Sequence, residues 1–156
     1  MADGIIVATF DNTNAAYETA RAMKDLKQVG APGVADFKLK TGVMIKKDDR
    51  GNVSLLESKD RPLLGTAVGA TTGLLIGLLG GAPGAALGAT LGATTGLSTD
   101  ALMAAIDDDF VNGVKQELRP GMTAVIVEAN EGSTRAVDDL VALRGGHVYR
   151  QDAAQL

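Results

Sequence analysis

The sequence has no cysteine, no tryptophan and a single histidine, His147. Without cysteine there is no disulfide, no thiolate metal site and no thiol nucleophile. One histidine cannot assemble a multi-histidine metal centre or a catalytic histidine network within one chain. Aromatic residues make up 3% of the 156 positions, so the core has to be built from Val, Ile, Leu, Ala and Met. An excess of positive charge is also missing. The net charge is −4, which weighs against a nucleic-acid partner. The opening Met-Ala-Asp-Gly has no basic region followed by an apolar run, so it does not read as a signal peptide. The expected location is the cytoplasm or the cytoplasmic face of a membrane.

The most informative absence is local: Pro62 to Thr99 contains no charged residue. What fills the gap is periodic. Gly65, Gly69, Gly73, Gly77 and Gly81 step by four, and so do Gly84, Gly88, Gly92 and Gly96. On a helix, residues four apart lie on one face, a turn above one another. Glycine there lets a second helix approach backbone to backbone. Gly80-Gly81-Ala82-Pro83-Gly84 separates the series with a dense turn signal. The spacing predicts a helical hairpin packed through glycine stripes, with Gly65, Gly69, Gly73, Gly77, Gly88, Gly92 and Gly96 as packing and oligomerisation positions. The block is also a repeat: residues 64–74 recur as residues 87–97 with eight of eleven positions identical. Glycine costs a helix roughly 1 kcal/mol per residue relative to alanine, so close packing must offset so many of them. A flexible Gly/Ala/Thr linker would need neither the spacing nor the leucines.

The flanks read as an α/β domain. Gly4–Phe10 is a β-branched apolar run and predicts a strand. Asp11-Asn12-Thr13 offers N-caps for a helix over Ala15–Gln28, with Ala16, Ala20 and Met23 inward. Val34–Lys47 predicts a second strand with a bulge at Gly42, Asp48–Asn52 a turn, and Val53–Glu57 a third strand. After the glycine block, Asp107 can cap a helix running to Leu118, Asp108 and Asp109 suit its positive end, and Ile106 can staple onto Val111. Met122–Ala129 is the most convincing strand. Ser133 caps a helix to about Leu143, and His147–Arg150 is a short last strand. The first six of these elements, β-α-β-β-α-β, follow the ferredoxin-like order. The expectation is therefore an α+β fold: a ferredoxin-like sheet, an inserted glycine-rich helical hairpin and a C-terminal α-β extension. The corresponding segments are 1–61 and 107–156 for the α/β domain and 62–106 for the hairpin.

Three features carry a family resemblance: Val7-Ala8-Thr9-Phe10-Asp11 before a helix, the central Gly/Ala/Leu block, and Ile106-Asp107-Asp108-Asp109-Phe110-Val111 after it. On these the chain resembles a bacterial family of uncharacterised proteins, many described as membrane proteins. The resemblance implies an α/β domain with a glycine-zipper hairpin. It implies no reaction and no catalytic residues.

Candidate chemistry is sparse. Asp107, Asp108 and Asp109 are consecutive on a helix, about 100° apart, and cannot converge on one ion. Asp48, Asp49 and Asn52 lack the ligand spacing and closing glutamate of a calcium loop. His147 has no second histidine or cysteine to join it. Gly80–Gly84 has no Lys-Ser or Lys-Thr after it and no strand before it, so it is no phosphate loop. Lys38, Lys40, Lys46 and Lys47 are read as a solvated strand face, with contact to anionic lipid headgroups as the sharper alternative. Two function classes follow. The first is a non-enzymatic structural or interaction protein that self-associates through the hairpin, a scaffold associated with lipid or membrane; the chain itself is the expected partner, with no cofactor and no metal. Residues 63–81 would span ~28 Å as a helix against ~30 Å of hydrocarbon. In this reading Leu74, Leu75, Leu78 and Leu79 lie on the outer face of the hairpin and need lipid or other copies. The alternative is a small-ligand-sensing ferredoxin-like module that oligomerises through the hairpin. An enzyme is the least supported reading.

Overall fold

The structure, a computed structural model, describes residues 3–26, 37–56, 70–79 and 107–152. Among these residues it is a mixed α+β fold with five strands and four helices. The strands are β1 (Asp3–Phe10), β2 (Lys38–Lys47), β3 (Val53–Leu55), β4 (Thr123–Asn130) and β5 (His147–Asp152). The helices are α1 (Thr13–Asp25), α2 (Ala70–Leu79), α3 (Asp108–Glu117) and α4 (Arg135–Ala142). The sheet is antiparallel throughout, in the order β3-β2-β4-β1-β5.

Local chemistry sets the element ends. Asn12 caps α1, its side chain accepting from the Ala15 amide at 2.8 Å. Asp107 caps α3 through the Asp109 amide at 2.9 Å, with Asp108 and Asp109 in the first turn as the sequence predicts. At α4 the N-cap is Thr134, which makes no side-chain cap bond; the expected Ser133 instead accepts from the Arg135 amide at 3.3 Å. The β2–β3 turn is closed by Asp48, whose carboxylate accepts from the amides of Arg50 and Asn52, while Gly51 adopts φ +84°. The expected bulge at Gly42 lies slightly earlier in β2, where the register shifts between Leu39 and Thr41.

Both crossovers skip a strand. β1 reaches β2 through α1, with β4 lying between those strands, and β4 reaches β5 through α4, with β1 between. α1 and α4 cover one face of the sheet, where Ala16, Ala20 and Met23 of α1 and Val137 and Val141 of α4 meet Ile6, Phe10, Val125 and Val127. Arg144, just past the end of α4, meets Glu18 of α1 at 3.5 Å. α2 and α3 cover the other face. There Leu75, Ile76 and Leu79 of α2 join Phe110, Val111 and Val114 of α3 over Ile5, Val7, Ile45 and Ile126. β1 and β4 are therefore buried on both sides, which is why their sequences run apolar without alternation.

Leu75 and Leu79, expected on the outer face of the hairpin, are instead 0% and 4% exposed, and Leu78 packs partly against the same core; the side chain of Leu74 lies outside the described residues. The physical reason is that the sheet has a second apolar face to cover, and α3 alone does not cover it. The helix expected to project from the domain thus supplies part of its core.

Candidate interaction face and the Arg150 cleft

Of the predicted packing glycines, the structure describes two, Gly73 and Gly77, both in α2. Gly65, Gly69, Gly88, Gly92 and Gly96 lie outside the described residues, as do the predicted second arm and the Ile106 staple. What α2 does display is a division of faces. Successive helical residues are about 100° apart, so Leu75, Ile76 and Leu79 share one sector, the one buried on the sheet. Gly77 falls in the opposite sector and is part-exposed, and Gly73 precedes it by about one turn. The ten residues Ala70–Leu79 carry no charge in either sector.

The predicted lysine face is divided. Lys38 pairs in register with Asn130 and Lys46 with Thr123, at opposite ends of β4. That separates the pairs Lys38/Lys40 and Lys46/Lys47 by ~25 Å along the strand, so the four do not make one basic patch.

A cleft of about 190 Å³ opens at the end of the sheet where β1 begins, lined by Gly4, Ile6, Ala129, Glu131, Thr134 and Arg150 among others. Arg150 dominates it chemically. Its Nε and Nη2 donate to the two carboxylate oxygens of Glu131 at 2.8 and 3.1 Å. Nη2 also donates to the Thr134 carbonyl at 3.2 Å, and Nη1 meets Asp138 at 2.6 Å. Burial alone would lower the guanidinium's pKa; the hydrogen bonds and charges of Glu131 and Asp138 outweigh it and raise the value. Four of the five donors of an arginine are consumed within the chain. The network clamps the turn after β4 and the start of α4 to β5, and leaves little donor capacity for an anion in the cleft. Sequence spacing gave no sign of it, because Glu131, Asp138 and Arg150 come from a loop, a helix and a strand.

A second polar cluster sits beside α3. Glu117 lies 3.5 Å from His147 Nε2 and accepts a hydrogen bond from the Tyr149 hydroxyl. Burial, then the charge of Glu117 and that hydrogen bond, raise the tyrosine's pKa. His147 thus has a carboxylate neighbour, but its side chain is 65% exposed. Asp107 is occupied as a helix cap and Asp48 as a turn acceptor, and among the described residues no three His, Asp or Glu side chains gather as a metal set. Among the same residues no helix is long and apolar enough to cross a membrane.

A family profile described as "Protein of unknown function (DUF1269)" covers residues 61–154. Neither the curated proteins nor the solved structures give a match.

Proposed function

The chain belongs to the DUF1269 family, a family of unknown function, and from that premise we propose that it is a non-enzymatic, self-associating structural module that acts through its glycine-rich stretch. The observation that carries this reading is the two-faced α2. One side, with Leu75, Ile76 and Leu79, is committed to the chain's own sheet. The other presents Gly77, one turn after Gly73 on an uncharged helix, and glycine at that spacing admits a neighbouring helix at short range. The neighbour is the second glycine series of the same chain, the same stretch of another copy, or both in turn. A lipid surface is the further partner that the uncharged stretch favours.

The strand order supports a ferredoxin-like reading of the sheet, carried by β1-α1-β2 and β4-α4-β5 rather than by the first six elements in sequence. β3 is then the added edge strand. The Arg150 cleft gives the ligand-sensing alternative a location, but its arginine is already bound by Glu131 and Asp138, so that reading ranks second.

The test is sedimentation of the full chain over a range of concentrations in detergent-free buffer, beside Gly77→Leu. Wild type is expected as a multi-subunit species and Gly77→Leu as a smaller one, because overpacking a close helix contact typically costs about 1–3 kcal/mol. A wild-type chain that is monomeric throughout ends the proposal.

A further inference from the structure

We infer that His147 and Glu117 are the two protein ligands of a site for a divalent transition-metal ion of the Zn²⁺ or Cu²⁺ class, with water completing the coordination and Tyr149 holding the carboxylate in place. The site is independent of the self-association proposed above.

Two elements bring the ligands together. His147 opens β5 and Glu117 closes α3. Tyr149 and His147, two apart on a strand, share a face and stand ~6.8 Å apart. Gly113 and Glu117, four apart on a helix, also share a face and stand ~6 Å apart along the axis. The two steps match. At Gly113 the missing side chain lets the helix lie close to the strand, since even an added Cβ would sit 3.4 Å from the Tyr149 ring. One step further along, Glu117 comes over His147, with Oε1 3.5 Å from Nε2. Both ligands lie at the ends of α3 and β5 remote from Asp107 and Asp152.

A separation of 3.5 Å is long for a charge-assisted hydrogen bond, which closes to ~2.7–2.9 Å. It suits two ligands of one ion. With metal–ligand bonds of ~2.0–2.1 Å at a tetrahedral angle, a nitrogen and an oxygen stand ~3.4 Å apart. Imidazole beside carboxylate selects zinc, copper and their neighbours, whereas Mg²⁺ and Ca²⁺ take oxygen ligands. The outer support is already built. Glu117 accepts from the Tyr149 hydroxyl, and a carboxylate keeps lone pairs for an ion after that bond. Ligating carboxylates are held in this way by hydrogen bonds of their own. Thr9, opposite His147 on β1, is fully buried, and its Oγ1 makes no hydrogen bond, so a polar group without a partner lies on the same row of the sheet. Arg119, two residues after Glu117, is turned to Asp11 at 3.9 Å. Lys115, two residues before it, lies about 200° around the helix. His147 is exposed and Glu117 part-exposed, so the other positions of the ion face water.

His147 is the sole imidazole of the chain, and there is no cysteine. Nitrogen coupling from an imidazole in a Cu²⁺ spectrum can therefore come from no other residue. The experiment is titration of the untagged, chelator-treated full-length chain with Cu²⁺, read by electron paramagnetic resonance and by calorimetry. One Cu²⁺ per chain with coupling to a single imidazole is expected, displaced by excess Zn²⁺. His147→Ala should lose the coupling. Glu117→Gln, which still accepts from Tyr149, should bind more than ~10-fold more weakly, and Tyr149→Phe about 10-fold more weakly. Asp107→Asn, at the acidic start of α3, should bind as wild type does. Bound copper without imidazole coupling in the wild type is adventitious and overturns the site, and that result needs no variant to fold. Full affinity in Glu117→Gln leaves a lone histidine and overturns the pair. Absence of stoichiometric binding overturns it as well. None of these outcomes bears on self-association, which sedimentation of the metal-free chain decides.

Discussion

At the scale of single residues, close approach decides more than chemistry does. A Cβ on Gly146 would lie 2.6 Å from Cε1 of Phe10 and 2.8 Å from the Thr9 carbonyl. The backbone oxygen cannot swing aside, so Gly146→Ala should destabilise the fold by about 1–3 kcal/mol. Gly113 is the opposite case. A Cβ there would meet the Tyr149 ring at an ordinary 3.4 Å, and the residue sits inside α3, where glycine is disfavoured. Gly113→Ala should therefore stabilise by up to about 1 kcal/mol, and chemical denaturation of the two variants should move in opposite directions. Asp107→Ala should cost about 1 kcal/mol through loss of the cap, with Asp107→Asn close to wild type. Tyr149 gives a pH dependence. Its folded pKa is raised by burial and by Glu117, so the protonated form is the one the fold favours. That contribution is fully present below the ordinary tyrosine value of about 10 and is lost as pH climbs through the raised value. Denaturation midpoints should fall in that alkaline window for wild type and fall less for Tyr149→Phe, which keeps the ring on Gly113 but has no hydroxyl to ionise. An equal alkaline slope in both would remove Tyr149 as its source.

At the scale of elements, the legible parts were those with a local signal. β1 and β4 show as β-branched runs, α3 shows by Asp107 and its acidic first turn, and the β2–β3 turn shows by Asp48 and Gly51. α2 was misplaced for an equally local reason. Its sequence is apolar on every side, so periodicity does not say which side is buried. The clue lay in another element: Gly4–Phe10 does not alternate, which calls for cover on both faces of the sheet. α2 provides part of that cover. Ile76→Ala should therefore lower the stability of the whole fold by about 2–5 kcal/mol, as a buried core truncation does. A helix held apart from the sheet would transmit little of that loss, so an unchanged denaturation midpoint would detach α2 from the core.

At the scale of the whole molecule, the order of strands was not legible. β3 and β4 are both apolar and both preceded by polar turns, and nothing in either says that β4 lies in the middle while β3 lies at an edge. Length gives a retrospective hint: eight residues buried on both faces suit a centre, and three suit an edge. The Arg150 clamp was illegible for a related reason, because it exists only once the β4–α4–β5 crossover brings Glu131 and Asp138 to the last strand. The family match shows the same interdependence. Residues 61–154 contain β4 and β5, but these are not neighbours; β1, from outside the match, lies between them.

That central placement of β1 sets the tempo of biosynthesis. β1 leaves the ribosome long before either of its sheet partners: Phe10 waits for Thr123, and Thr9 for His147. Such distant pairings make loop closure the slow step of folding, and until then the nascent chain carries the bare apolar strand Ile5–Phe10, a species prone to aggregation. Chains released after Gly121, which have the whole glycine-rich stretch but no β4, should accordingly remain protease-sensitive and poorly soluble. Resistance to proteolysis should arise only when the C-terminal strands are present, late and in one step.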